Sequence, residues 1–217
     1  MDVLIPIKNL KFVKSRLSSH LSLGERRRIV IGMLDGLVNE LKKLDAINDI
    51  YIVSDDGFVI EMCRKINVSY IESNVFQGLN ESIEYALSVL SKRKVSEIII
   101  LPGDLPLVNE FDVLSLVNYY LFNNNDVIVV PDNKKIGTNA LVLSLPTKMK
   151  MRFGIDSFAK HVDFARSNGV KVGVFENYNI SMDLDNVSDI EFIMNGGVLN
   201  DEVGLVLSEV VSREMVF

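Results

Sequence analysis

A single cysteine, Cys63, stands in the 217 residues, so no disulfide can form within the chain. The expected setting is a reducing cytoplasm, with Cys63 a thiol of the core. Histidine is nearly as scarce: His20 and His161 are far apart and lack metal-ligand spacing, which makes them surface or packing residues. There are only 13 glycines and 5 prolines, which with 24% charged residues excludes a collagen-like, low-complexity or disordered polymer. A basic excess is also missing. Lys plus Arg number 23 against 29 Asp plus Glu, a net charge of −6, so the basic face of a general nucleic-acid binder is absent. The apolar run in the opening MDVLIPIKNLK is too short for a signal peptide or a membrane span. There is no GxxxxGK[ST] and no GxGxxG, so neither a P-loop nor a dinucleotide fingerprint is present.

What is present is core. With 48% hydrophobic residues, residues 1–217 suit one compact domain. Buried-strand runs are expected at Val3–Ile7, Ile50–Val53, Ser69–Ile71, Ile98–Leu101, Val127–Val130 and Val170–Val174. Helical periodicity falls between and after them, at Leu23–Leu44, Gly57–Ile66, Asn80–Lys92, Glu110–Phe122, Asp156–Asn168 and Val187–Asn195. Strands alternating with helices imply βαβ crossovers, hence an α/β three-layer Rossmann-like sandwich around a mostly parallel sheet. The tail after Gly197 predicts a strand and short helix or an apolar docking segment, with core packing favoured over a dimer contact.

In such a sheet, ligands bind beyond the carboxyl ends of the strands, and polar residues follow several of the runs. Lys8, Lys11, Lys14 and Arg16 put four cations within nine residues, which suits a triphosphate or else a solvated basic face. Asp104 ends the fourth run in Leu101-Pro102-Gly103-Asp104, where an acid is costly unless paired or holding a cation. Mg²⁺ is the simplest cation, and its second carboxylate would come from Asp183 or Asp185, which share a side if Ser181–Asp185 is extended; a helix N-cap is the other role for Asp185. Ser54-Asp55-Asp56-Gly57 and Gln77-Gly78-Leu79-Asn80 read as helix caps or as a crevice for a base and ribose. Gly137-Thr138-Asn139-Ala140 and Phe153-Gly154 with Ser157 read as a small anion site or as plain capping.

Taken in order, these segments resemble the 2-phospho-L-lactate guanylyltransferase family of coenzyme F420 biosynthesis, within the GT-A-like, MobA-like nucleotidyltransferases. The residues that carry the resemblance are Ile5-Pro6-Ile7-Lys8 with Lys14-Ser15-Arg16-Leu17, Gly78-Leu79-Asn80, Pro102-Gly103-Asp104-Leu105-Pro106, Gly137-Thr138-Asn139-Ala140-Leu141, Phe153-Gly154 with Ser157-Phe158, and Asp183-Leu184-Asp185. The resemblance implies transfer of GMP from GTP to 2-phospho-L-lactate, or in some relatives phosphoenolpyruvate or 3-phosphoglycerate, with release of pyrophosphate. Lys8, Lys14 and Arg16 would then face the triphosphate and Asn80 the nucleoside. Asp104 and Asp185 would hold Mg²⁺ with Asp183 beside it, while Thr138, Gly154 and Ser157 would hold the phosphorylated acid; family habit adds a homodimer. Three departures stand out: Ile136 before Gly137 where a second glycine is usual, Ile155-Asp156 for Pro-Gly, and Asn186-Val187-Ser188-Asp189 for Thr-Pro-Glu-Asp. The first two lie at the expected acceptor site. The competing functions are nucleotidyl transfer to a molybdopterin or sugar-phosphate acceptor and a nucleotide-binding protein without turnover.

Overall fold

A computed structural model describes residues 1–73, 78–196, 199 and 201–214. In chain order the elements are β1 (Asp2–Pro6), α1 (Leu23–Lys42), β2 (Ile50–Ser54), α2 (Gly57–Lys65), β3 (Ser69–Glu72), α3 (Leu79–Lys92), β4 (Glu97–Ile100), α4 (Glu110–Asn123), β5 (Val127–Pro131), β6 (Thr138–Ser144), α5 (Ser157–Ser167), β7 (Val172–Val174), α6 (Tyr178–Ser181), α7 (Val187–Gly196) and α8 (Asp201–Glu214). They build a seven-stranded sheet of order β3-β2-β1-β4-β6-β5-β7.

The βαβ rule led to the expectation of a mostly parallel sheet, and β1 with β2, β1 with β4, β2 with β3 and β5 with β7 are parallel. The exception is β6, which runs antiparallel between β4 and β5. No strand was expected there, because the eye is caught by the polar start Thr138-Asn139 and the apolar Ala140–Leu143 is short. Burial of every residue from Thr138 to Leu143 explains why four apolar residues suffice.

Side chains alternate across the sheet as the pleat demands. Val3, Ile5, Ile52, Ile99, Ile128 and Val142 join one core with α1, α4, α7 and α8. Leu4, Val53, Ile100, Val129 and Leu143 join another with α3 and α5. The three layers are therefore those expected. Ser22 and Glu25 close a capping box at the start of α1, which fixes where the long helix begins.

The tail differs from its expectation. It forms the single helix α8, which lies on α1 with Val203, Val206 and Leu207 buried. The spacing 203, 206, 207 is one face of a helix, so core packing wins over a free docking segment. Among the described residues no helix is long and apolar enough to cross a membrane.

Because Leu207 is wholly buried, Leu207→Ala should lower stability by about 2–5 kcal/mol in urea unfolding. A change under roughly 0.5 kcal/mol, the size usual for a surface site, would show that α8 is not part of the cooperative unit.

Candidate active site

The strand order reverses between β1 and β4, and the crevice beyond their carboxyl ends is where an open α/β sheet receives a ligand. A cleft of about 670 Å³ opens there. Lys8, Lys14, Arg16, Asp104, Thr138, Gly154, Ser157, Asp183 and Asp185 all line it, although they come from five separate stretches of chain. A groove of about 610 Å³ at the opposite end of the sheet is lined by Lys42, Asp49, Arg93 and a mixture of uncharged polar and apolar residues, with one acid only.

The loop after β1 is held by α1 and α2. Arg26 Nη1 donates to the Val13 carbonyl at 2.7 Å, Arg27 Nε donates to the Leu10 carbonyl at 3.3 Å, and the Leu10 N–H donates to Asp56 Oδ2 at 2.9 Å. Asp56 also accepts from Phe58 N–H, so it caps α2, with each of its carboxylate oxygens engaged by a backbone N–H. Gln77 of the companion segment lies outside the described residues. The three anchors deliver Lys14 in a left-handed conformation, φ 46°, uncommon for a residue with a Cβ.

From there Lys14 Nζ donates to Asp104 Oδ2 at 2.7 Å and to Asp185 Oδ1 at 3.0 Å. Its side chain is 6% exposed. Burial pushes the ammonium pKa down, but Asp104 and Asp185 more than reverse this and the net shift is upward. Burial likewise pushes Asp185 up, and Lys14, then Arg16 and Lys8, bring it below the ordinary value. Arg16 reaches Asp185 Oδ2 at 3.0 Å but its side chain is 69% exposed, so that pair adds little to stability. Lys8 is exposed in the cleft and makes no ion pair among the described residues.

Asp104 is placed by close packing. A Cβ on Gly103 would run into Ile7 Cδ1 of the loop after β1, so the turn lies this near with glycine, and any larger residue would require Ile7 to shift. The Leu184 N–H donates to the Asp104 carbonyl at 3.2 Å and brings the 182–185 segment alongside. That segment has neither helix nor strand, and Asp183 and Asp185 both line the cleft as alternation implied. Asp185 does not cap α7 with its side chain, which is engaged by Lys14 and Arg16. Asp189 accepts from the N–H groups of Asp185 and Asn186 instead.

Asp183 is the strained member. Burial, then the nearby Asp104 and Asp185, push its carboxyl up to about 6, against a weaker downward pull from Asn139 and Lys14. Asn139 Nδ2 donates to the Ile180 carbonyl at 3.0 Å and to Asp183 Oδ1 at 3.4 Å, so this buried asparagine steers the acid. Its role was not foreseen. The available signal was an amide inside a buried run, which must be satisfied by something specific.

Among the described residues no three acids, histidines or cysteines are gathered as a metal cage. Lys14 explains this, since its ammonium is drawn in between Asp104 and Asp185. The donor set is nonetheless what a hard divalent cation takes: carboxylate oxygens, one of them held at an energetic disadvantage by surplus negative charge.

Across the cleft, Gly154 has φ 120°, a conformation reserved for glycine. Asp156 precedes α5 but makes no side-chain cap, and Ser157, buried, has no hydroxyl partner among the described residues. Side-chain capping therefore does not account for Gly154 and Ser157; the first N–H groups of α5 are met by backbone, Ser157 N–H donating to the Gly154 carbonyl at 3.2 Å and Phe158 N–H to the Ile136 carbonyl at 3.0 Å. Thr138 is buried and its Oγ1 lies 3.0 Å from His161 Nδ1. His161 is accordingly a core residue rather than a surface one. Asn80, expected at a nucleoside, does not line the cleft. It donates to the Phe153 carbonyl at 3.1 Å and accepts from the Phe153 N–H at 2.8 Å, holding the loop that leads to Gly154.

With this geometry in place, comparison with known proteins is informative. The family model described as "Guanylyl transferase CofC like" matches residues 1–202. The chain belongs to this family. The 2-phospho-L-lactate guanylyltransferase of Methanosphaera stadtmanae is 32% identical over 89% of this chain and 83% of its own. The phosphoenolpyruvate guanylyltransferase of Rubrobacter xylanophilus is 31% identical over 89% of this chain and 94% of its own. Among solved structures, a protein assigned as a nucleotide-diphospho-sugar transferase from Desulfovibrio desulfuricans superposes with TM-score 0.77 at 14% identity, covering 97% of this chain and 95% of that one. A cytidylyltransferase from Leptospira borgpetersenii gives TM-score 0.61 at 15% identity, covering 99% and 94%. The structures establish the fold, that of the nucleotidyltransferases, and the CofC-like relatives establish this chain as a nucleotidyltransferase of the guanylyl type.

Two expectations follow from the charges. Asp183 has a folded pKa above its ordinary 3.8, so its contribution to stability is full below 3.8 and lost as pH rises through about 6. In metal-free protein at pH 7, Asp183→Asn should therefore stabilise by about 1–2 kcal/mol in urea melts and reduce the gain in Tm on adding Mg²⁺. An unchanged or lower metal-free stability would show that the acid is not strained. His161 behaves in the opposite sense, since burial, then Arg152, hold it down at about 4, below its ordinary 6.5. Its neutral form is fully in place above pH 6.5, and stability should fall by about 2 kcal/mol by pH 5 as the unfolded chain takes up a proton. Urea midpoints at pH 7 and 5 check this against His161→Gln, in which the fall should be shallower; an equal fall would count against it.

Proposed function

We propose that this chain transfers GMP from GTP to the phosphate of a small phosphorylated acid, 2-phospho-L-lactate or phosphoenolpyruvate, releasing pyrophosphate in coenzyme F420 biosynthesis. One observation carries the proposal: a single cleft is lined together by the cations Lys8, Lys14 and Arg16, the carboxylates of Asp104, Asp183 and Asp185, and the hydroxyl residues Thr138 and Ser157. Two anions need such a site if they are to meet.

In the reaction an oxygen of the acceptor phosphate bonds to the α-phosphorus of GTP, and the bond from that phosphorus to the α–β bridging oxygen breaks. The acceptor oxygen is already anionic near neutral pH, so no protein base is required. The barrier is electrostatic, and the residues address it in turn. Lys8 and Arg16 offset the triphosphate. Lys14 balances Asp104 and Asp185 in the free protein and is within the same loop as the other cations, so one ammonium can serve carboxylates first and phosphate oxygens later. Thr138, Ser157 and the start of α5 receive the acid. Asp104 and Asp185, with Asp183 beside them, would hold Mg²⁺, which supplies positive charge for phosphate oxygens when bound.

The names of the relatives support guanine as the base and are divided between the two acids; Ile136 and Ile155, exposed and lining the cleft, are the residues we assign to that choice. The reading also places the enzyme in the cytoplasm, without nucleic acid and as a homodimer. The tail that suggested the dimer is occupied by its own core; gel filtration that gives a monomer would remove this part of the proposal.

Pyrophosphate release should be seen with GTP ahead of the other three NTPs, and with 2-phospho-L-lactate or phosphoenolpyruvate ahead of 3-phosphoglycerate. No release with any combination would defeat the proposal. Asp104→Ala should lower kcat by a factor on the order of 10²–10³, as loss of one strong electrostatic contact does. Near wild-type turnover with Mg²⁺ would remove Asp104 from its assigned role.

A further inference from the structure

His161 lies in α5 behind the acceptor wall and is fully buried. It makes two hydrogen bonds, one at each ring nitrogen. Nε2 is 2.9 Å from the backbone nitrogen of Arg152, and Nδ1 is 3.0 Å from Thr138 Oγ1. A backbone N–H can only donate, so Nε2 must accept and carries no proton. A neutral imidazole then has its one proton on Nδ1, and that proton is donated to Thr138 Oγ1. Burial and the positive charge of Arg152, which hold the ring pKa down at about 4, agree with a neutral ring.

The consequence falls on Thr138. Its oxygen receives the His161 proton, so its own hydroxyl proton cannot point back at the ring. Thr138 lines the cleft, and the proton is left to point there. A threonine fixed in this way is a donor by construction and suits an anion. The same ring also holds the Arg152 N–H, while Asn80 holds the N–H and carbonyl of Phe153. The chain that leads into Gly154 is thus tied at two successive residues, and the edge of the His161 ring meets Phe153 with centroids 5.1 Å apart.

We propose that His161 is a positioning residue for the acceptor: it sets Thr138 as a hydroxyl donor into the cleft and fixes the Arg152–Gly154 segment, without touching substrate itself. This rests on the reading that the Thr138 side of the cleft takes the phosphorylated acid. It predicts that the tautomer, and not merely the bulk of the ring, governs acceptor binding.

Two variants separate the roles of the ring nitrogens. Asn places an amide N–H near the Nδ1 position and can still donate to Thr138, whereas Gln reaches the Nε2 position and can still accept from Arg152. With GTP, Mg²⁺ and whichever of 2-phospho-L-lactate or phosphoenolpyruvate serves wild type, His161→Gln should raise acceptor KM about tenfold and leave GTP KM within about twofold, the size expected for one lost hydrogen bond. His161→Asn should recover most of that loss. Thr138→Val should match His161→Gln, and the double variant should be no worse than either single one, because the two residues act as one unit. Parallel rises in both KM values, or additive effects in the double variant, would overturn the proposal.

A readout independent of turnover is the ¹⁵N spectrum of the His161 ring in the wild-type protein at pH 7. Nδ1 should be protonated and Nε2 bare; the reverse tautomer, or a doubly protonated ring, overturns the inference. If wild type releases no pyrophosphate with any acid, the functional reading fails on its own, and the ring spectrum still decides the tautomer.

Discussion

The ammonium of Lys14 between Asp104 and Asp185 is the contact on which the remaining arrangement depends. A nearly buried ammonium is expensive to remove from water, and it persists here because two partly exposed acids, well placed, meet it. Each member is therefore held by something else. Arg26, Arg27 and Asp56 shape the loop that carries Lys14, a close-packed glycine brings in Asp104, and a backbone hydrogen bond sets the segment that carries Asp185. These supports come from α1, α2, β1 and the turn after β4, so the site draws on most of the sheet's switch point.

That dependence has an energetic side. Burying surplus negative charge at Asp183 disfavours the free protein, and the two apolar cores on either face of the sheet offset it. Strain of this kind is what a cation relieves, which is why perturbed acids gather where ligands bind. Beside it, Thr138, Gly154 and Ser157 bring hydroxyls and a glycine to the same cleft.

Much of this was legible from residues alone. Apolar runs and 3.6-residue periodicity place six strands and six helices close to their observed positions, because hydrophobic patterning is local. The strand-end rule then points to Lys8, Lys14, Arg16, Asp104, Thr138, Gly154, Ser157, Asp183 and Asp185, and all of them meet in one cleft. What escaped was non-local. The antiparallel β6 is indistinguishable in pattern from any short apolar run, since its direction is set by its neighbours. The grip of Asn80 on Phe153, 73 residues away, and of Asn139 on Asp183, 44 away, leaves no trace in spacing. His161 looked inert for the same reason: a ring that acts through a threonine has no motif of its own.

The reversed direction of β6 has one further consequence. The cation wall and Asp104 hang from the ends of parallel strands, where the chain leaves the sheet, whereas Thr138 and Asn139 open a strand, where the chain enters it. The turn from 132 to 137 joins β5 to β6 without passing through β1 or β4. Its length and side chains can thus drift while Lys14, Asp104 and Asp185 stay where they are, so the fold separates what it must keep from what it is free to vary.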